Sequence, residues 1–235
     1  MLDRAKRLLL ETLATLEDEI AQGIPMVVLE PSCATVFRDE MLNLFPEDER
    51  AVRLSKQTFL LSEFLEKKAK NFSPPKLACK AIVHGHCHHK SVMRMTDEES
   101  VLRKMGIDFE SPAPGCCGMA GAFGFEKDKY DVSVAIGELE LLPAVRKASP
   151  ETLIIADGFS CREQVAQCTN RRALHLAEVI QMAAQAEPPA DSRYTERHQF
   201  EKQQKDLRQS MKRAGAGAIA IIAGLGLLWA LRRRS

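Results

Sequence analysis

Thr152-Leu153-Ile154-Ile155-Ala156-Asp157-Gly158-Phe159-Ser160-Cys161 runs through four consecutive apolar residues into an Asp-Gly turn and ends on a thiol. A short apolar run bounded by turn residues is the pattern of a strand buried on both faces. Met26-Val27-Val28-Leu29 and the stretch Leu77 to Val83 repeat it, and Ile107-Asp108-Phe109 is a shorter version. Between these runs lie helical patterns. Residues 2–22 carry Leu8, Leu9, Leu13, Leu16 and Ile20 near helical spacing, until Gly23 and Pro25. Further helices are expected over Val36–Leu44, residues 56–70, His88–Met105, Tyr130–Lys147, Arg162–Gln167 and Leu176–Ala184. Apolar strands alternating with helices predict an α/β fold in Rossmann-like layers, one parallel sheet flanked by helices.

In such sheets ligands sit beyond the carboxyl ends of the strands. Cys33, Cys87 and Cys161 each follow a predicted strand, and the double cysteine of Gly115-Cys116-Cys117-Gly118 follows the short one. A vicinal thiol pair between glycines is poor core material and an awkward disulfide, but two thiolates on a slim turn can reach one metal group. Seven cysteines in 235 residues are too sparse for a disulfide scaffold, and their odd number leaves one over. The amino terminus begins an amphipathic stretch rather than an export signal, which favours a reducing, cytosolic setting. A net charge of +1, with bases and acids interleaved, gives no basis for a nucleic-acid surface.

Thiolates suit an iron–sulphur cluster, and the flanking glycines let main-chain N–H groups approach sulphur. Zinc is the rival, although the paired Cys-x2-4-Cys knuckles of zinc sites do not occur among these five cysteines. Burial as small apolar groups is the third reading and suits Cys79, inside a strand, and Cys168, near a helix end. Thiol chemistry at Cys116–Cys117, such as disulfide reduction, is a further one. Around Cys87, His84, His86, His88 and His89 are candidates for metal ligation or for hydrogen bonds to sulphur. His175 and His198 have no partner in view. Asp157 and Glu30 border the thiols as proton relays or, more simply, as helix caps.

Past Glu187-Pro188-Pro189-Ala190 the chain turns polar and charged. Residues 1–187 are read as one cysteine-rich domain, 188–213 as a charged linker and 214–231 as an apolar helix. Those last 18 uncharged residues would span about 27 Å, near the lower limit for a bilayer core. Ala216, Ala220 and Gly224 form a row of small residues, and Trp229 beside Arg232-Arg233-Arg234 resembles an interfacial anchor. The expectation is a domain held at the cytoplasmic face of a membrane by a transmembrane or anchoring helix.

Three motifs carry a resemblance: His84-Gly85-His86-Cys87-His88-His89-Lys90, Gly115-Cys116-Cys117-Gly118-Met119-Ala120-Gly121 and Ala156-Asp157-Gly158-Phe159-Ser160-Cys161-Arg162. Over residues 20–185 the chain resembles the cysteine-rich CCG domain of iron–sulphur oxidoreductases. That group includes the B subunit of heterodisulfide reductase, the iron–sulphur subunits of glycolate, lactate and anaerobic glycerol-3-phosphate oxidation, and the carboxyl-terminal part of FAD-linked D-2-hydroxy-acid oxidases. The resemblance implies a 4Fe-4S type cluster on Cys87, Cys116, Cys117 and Cys161, with Cys33 matching the closing cysteine of a preceding half-repeat. It also implies FAD on a partner dehydrogenase of 2-hydroxy acids and delivery of electrons to a membrane acceptor such as quinone. The chain would then be an oxidoreductase component, inactive without its flavin-bearing partner. Two departures stand out. Gly158 replaces the first cysteine of the family's Cys-x-x-Cys, and the first half-repeat's double cysteine and the flavin domain are missing. They leave open a zinc-stabilised or metal-free truncated relative, a membrane-tethered binding module without redox activity.

Overall fold

Main-chain hydrogen bonds of five short strands, all paired in parallel, organise the first part of the computed structural model, which describes residues 1–112, 115–185, 196 and 204–212. The chain divides into two units, Met1–Pro188 and Pro189–Ser235. In the second, residues 204–212 are an exposed helix. The apolar stretch 214–231 lies outside the described residues. Among the described residues no helix is long and apolar enough to cross a membrane.

Within the first unit, α1 (Leu2–Thr15) and α2 (Glu17–Gln22) split the expected amino-terminal helix at Leu16, and Gly23 at φ 72° closes it. β1 (Met26–Val28) leads into α3 (Pro31–Thr35), a π-helical turn Val36–Glu40 and α4 (Met41–Leu44). After α5 (Glu49–Gln57), β2 (Thr58–Leu60) pairs residue for residue with β1, and α6 (Leu61–Lys67) follows. The helix expected over residues 56–70 therefore begins only at Leu61. Phe59, Leu60 and Leu61 are consecutive and fit either period, and the ladder to Met26–Val28 decides in favour of strand.

β3 (Lys80–Val83) is the centre of a second sheet, between β4 (Asp108–Glu110) and β5 (Leu153–Ile155). Two parallel sheets flanked by helices thus stand where one was expected. The expected helix His88–Met105 breaks into a π-helical turn His89–Met93 and α7 (Thr96–Met105), because Arg94 at φ 68° turns the chain between them. Tyr130–Lys147 likewise divides into α8 (Tyr130–Gly137) and α9 (Leu141–Lys147), with Pro143 held in the first turn of the latter, where it forfeits no intrahelical bond. α10 (Phe159–Cys168) and α11 (Leu176–Gln185) complete the unit.

β5 is buried throughout and divides the core. Leu153 and Ile155 pack with Ala81, Val83, Val101, Leu102, Met105, Leu176 and Val179 on one face. Ile154 faces the other way, toward Met119, Leu141, Val145, Val165 and the thiols Cys117 and Cys161. The thiols are thereby part of the second face's packing. A smaller core of Leu13, Ile20, Met41, Ala51 and Leu54 holds the amino-terminal helices together.

Glu63 fastens the first sheet to its helices. Its carboxylate, almost wholly buried, accepts from the Leu60 N–H at 3.0 Å and pairs with Arg38 at 2.6 Å and Lys67 at 3.3 Å. Burial pushes its pKa up, and Arg38 with the Leu60 N–H more than offset that, so it lies below the usual carboxylate range. Glu63→Ala leaves Arg38 and the Leu60 N–H without their acceptor and is expected to cost about 2–3 kcal/mol in urea unfolding. A change under about 0.5 kcal/mol, the scale of ordinary surface substitutions, would contradict this role.

Candidate metal centre

Parallel pairing of β3 with β5 sends the carboxyl ends of both strands to one edge, where the His84 N–H donates to Ile155 O at 2.8 Å. From that edge His84 to His89 carries Cys87, and Asp157 to Cys161 leads into the first turn of α10. The double-cysteine loop after β4 is the third element. Lys90 Nζ ties it to the histidine-rich turn by donating to Gly115 O at 3.0 Å.

The loop is clamped by glycine contacts. Gly118 has φ 94°, and a Cβ there would stand 2.0 Å from Ser133 O of α8. A Cβ at Gly137 would stand 3.0 Å from Cys117 O. The buried Gln164 of α10 donates to Ser133 O at 3.1 Å, so α8, α10 and the loop meet at one carbonyl. Only backbone without side chains allows this approach.

Four thiols converge here. Cys87, Cys116, Cys117 and Cys161 lie close enough to perturb one another's ionisation. Cys117 and Cys161 are buried, Cys116 is half-buried and Cys87 is exposed, so the group opens to solvent on the Cys87 side. The Cys161 thiol donates to Cys117 and, with the Met119 N–H aimed at the same sulphur and against the opposing effect of burial, lowers its pKa to about 6. Cys161 is driven far above the ordinary thiol range by Cys117 and by burial. Burial also raises Cys116, although the Gly118 N–H donates to its sulphur at 3.3 Å. One thiolate supported by N–H donors beside three further cysteines suits a soft, thiophilic metal group, and binding it would release the protons that the other thiols, Cys161 above all, still hold.

Cys33 stands differently. It is exposed on α3 and is not among the groups that perturb the other four. Its helix nonetheless borders the centre, since the Glu30 carboxylate accepts from Ser32 Oγ at 2.8 Å and from Phe159 N at 2.7 Å. Thr35 Oγ1 lies 2.9 Å from His88 Nδ1 on the same side. Cys79 and Cys168 lie apart, and burial raises both, Cys79 to about 11.

The histidines take distinct places. His84 is buried with Nε2 unpartnered, and burial lowers its pKa to about 4, so it is neutral. His86 accepts the His88 N–H at Nδ1 (3.2 Å), which puts its own proton on Nε2. A Cβ at Gly158 would stand 2.4 Å from its ring, so His86 fills the space that a side chain at 158 would need. Sequence reasoning did not single out Glu98, which the structure buries with His89 and Asp157. The signal was helical period: Glu98 shares the inward stripe of Val101, Leu102 and Met105.

No family model matches the chain. It is 28% identical over 165 residues to D-2-hydroxyglutarate dehydrogenase of Pseudomonas putida, covering 69% of this chain and 16% of that protein. It is 25% identical over 186 residues to the C subunit of anaerobic glycerol-3-phosphate dehydrogenase of Escherichia coli, covering 77% of this chain and 46% of that protein. D-2-hydroxyglutarate dehydrogenase of Escherichia coli matches at 25% over 161 residues, 15% of its length. The chain thus spans under half of the glycerol-3-phosphate protein and about a sixth of the two D-2-hydroxyglutarate dehydrogenases.

Gly118→Ala combines a left-handed backbone with a collision against Ser133 O and is expected to cost about 3 kcal/mol or more. Gly106→Ala, at φ 85° with nothing within 4 Å, is the control and should cost only about 1 kcal/mol. Similar losses for the two variants would contradict the clamp. In the metal-free, reduced chain, ultraviolet absorbance should report one thiolate forming as pH rises through about 6, well below the ordinary thiol pKa of 9.0. Cys117→Ser should abolish that step; its persistence would contradict the assignment.

Proposed function

We propose that the chain is an iron–sulphur electron-transfer module serving an FAD-containing dehydrogenase of 2-hydroxy acids, of the lactate, glycolate or 2-hydroxyglutarate class. The observation that carries this reading is the meeting of four thiols from three separate loops, with main-chain N–H donors at two of the sulphurs. The partial likeness to D-2-hydroxyglutarate dehydrogenase and to a component of glycerol-3-phosphate dehydrogenase supports a role in the oxidation of such metabolites.

Cys87, Cys116, Cys117 and Cys161 would hold the cluster, and Cys33 is the candidate for a fifth thiol, one helical turn from the Glu30 contact to Phe159. A 4Fe-4S type cluster supplies one-electron transfer. The protein's own contribution is to exclude water from Cys117 and Cys161, to direct the Gly118 and Met119 N–H groups at sulphur, and to leave Cys87 as the exposed side for exchange with a partner. His84, His86 and His88, from the same turn as Cys87, would adjust the charge on sulphur by hydrogen bonding. In this scheme FAD resides on the partner, and the module is inactive alone. Residues 1–187 form the cluster domain, 188–213 the linker and 214–231 the anchor that keeps it at the cytoplasmic face, near a quinone or other membrane acceptor.

Gly158, standing where the motif's first cysteine is expected, favours a second reading, a zinc-stabilised or metal-free binding module without redox activity. Anaerobic purification with iron and acid-labile sulphide analysis separates the two. Iron and sulphide in equal amounts, lost together in Cys161→Ser, are expected. Stoichiometric zinc without sulphide would replace this reading with the second.

A further inference from the structure

The turns that follow β3 and β5 also contribute to a buried group that the thiol chemistry does not use. His89 opens the π-helical turn after β3, Glu98 sits in α7, and Asp157 follows β5. Their relative exposures are 0%, 1% and 3%. One ligand atom from each lies within 4.8 Å of the others.

The hydrogen bonding there is incomplete. Neither ring nitrogen of His89 has a hydrogen-bond partner, and Glu98 Oε2 has none, although Nδ1 and Oε2 are only 3.2 Å apart. Orphaned polar atoms at such depth are costly, typically about 1–3 kcal/mol for each group. Asp157 is better placed: Oδ1 accepts from Leu176 N at 2.8 Å. His175 supports it without joining the set. Its Nδ1 accepts from Ala177 N at 2.9 Å, so the proton is on Nε2, which is 2.9 Å from Leu29 O and 3.5 Å from Asp157 Oδ1.

Two carboxylates facing each other in the interior need a counter-charge. A proton on Glu98 supplies half of it and, from Oε2, reaches Nδ1 of His89 alone, which leaves Nε2 idle. A divalent cation neutralises both carboxylates and takes a nitrogen of His89 as well. We infer that His89, Glu98 and Asp157 form a binding site for a divalent transition-metal ion, distinct from the four thiols. One imidazole and two carboxylates suit Zn2+, Mn2+ or Fe2+. Neighbouring ligands of a tetrahedral site are about 3.4 Å apart for bonds near 2.1 Å, so small side-chain rotations close the set. The ion would tie the turn after Cys87, the turn before Cys161 and α7 into one rigid support for the thiols.

Co2+ alone is the probe, titrated into the EDTA-washed full chain under anaerobic conditions. Zinc or manganese carried through purification is added to the count. Co2+ on thiolates gives sulphur-to-metal charge-transfer absorbance, whereas Co2+ on nitrogen and oxygen does not. The site therefore reads independently of what the thiols hold. The wild type should bind one equivalent beyond any that produces charge transfer. Glu98→Gln, which keeps the shape of a protonated carboxyl, should lose that equivalent, with affinity down more than about tenfold. Its charge-transfer absorbance and circular dichroism should not change. Asp157→Asn retains the acceptor for Leu176 N and serves as the second variant should Glu98→Gln fail to fold. Equal metal content in wild type and a folded variant would overturn the inference and leave a shared proton as the counter-charge.

Discussion

Parallel pairing of Lys80–Val83 with Leu153–Ile155 is the constraint from which the rest follows. Parallel strands point their carboxyl ends the same way, so two segments far apart in sequence deliver their next residues to one edge. Cys87 and Cys161 meet Cys116 and Cys117 for that reason. Because Leu153–Ile155 is buried on both faces, the edge is also anchored. Ile155 packs into the core shared with Met105 and Val179, and Ile154 into the one containing Cys117 and Cys161.

Burial then sorts the chemistry. Cys117, with donors around its sulphur, ionises below the ordinary thiol range despite its burial, and its neighbour Cys161 retains a proton because it holds that proton toward Cys117 and is itself buried. The segments after the same strands also bring His89 and Asp157 together with Glu98 in a buried oxygen and nitrogen group. The motif segments around Cys87 and Cys161 therefore each carry two kinds of donor, a thiol and, in His89 or Asp157, a nitrogen or oxygen group.

Much of this was legible in the residues. Apolar runs identified β1 and β5, and β3 despite Lys80 within its run, and the placement of Cys87 and Cys161 after strands led to their meeting. What escaped was decided by tertiary contact. Thr58–Leu60 reads equally as helix and becomes strand through its ladder to Met26–Val28. The single expected sheet is two, because strand periodicity says nothing of which strands are neighbours. Arg94 breaks a helical pattern with a backbone angle that composition does not announce. Glu98 lies between the acids Asp97 and Glu99 and reads as one more solvated charge until its inward stripe is followed along the helix. Gly158 reads as a lost ligand, and only the fold reveals the His86 ring occupying that space.

X-ray absorption at the iron and zinc edges of the anaerobically purified full chain distinguishes a cluster on the thiols from any other occupant. The iron edge should show sulphur as nearest neighbours and further iron just beyond them, the signature of a polynuclear iron–sulphur centre. A zinc edge with four sulphur neighbours and no iron, or iron surrounded by oxygen and nitrogen alone, would contradict it.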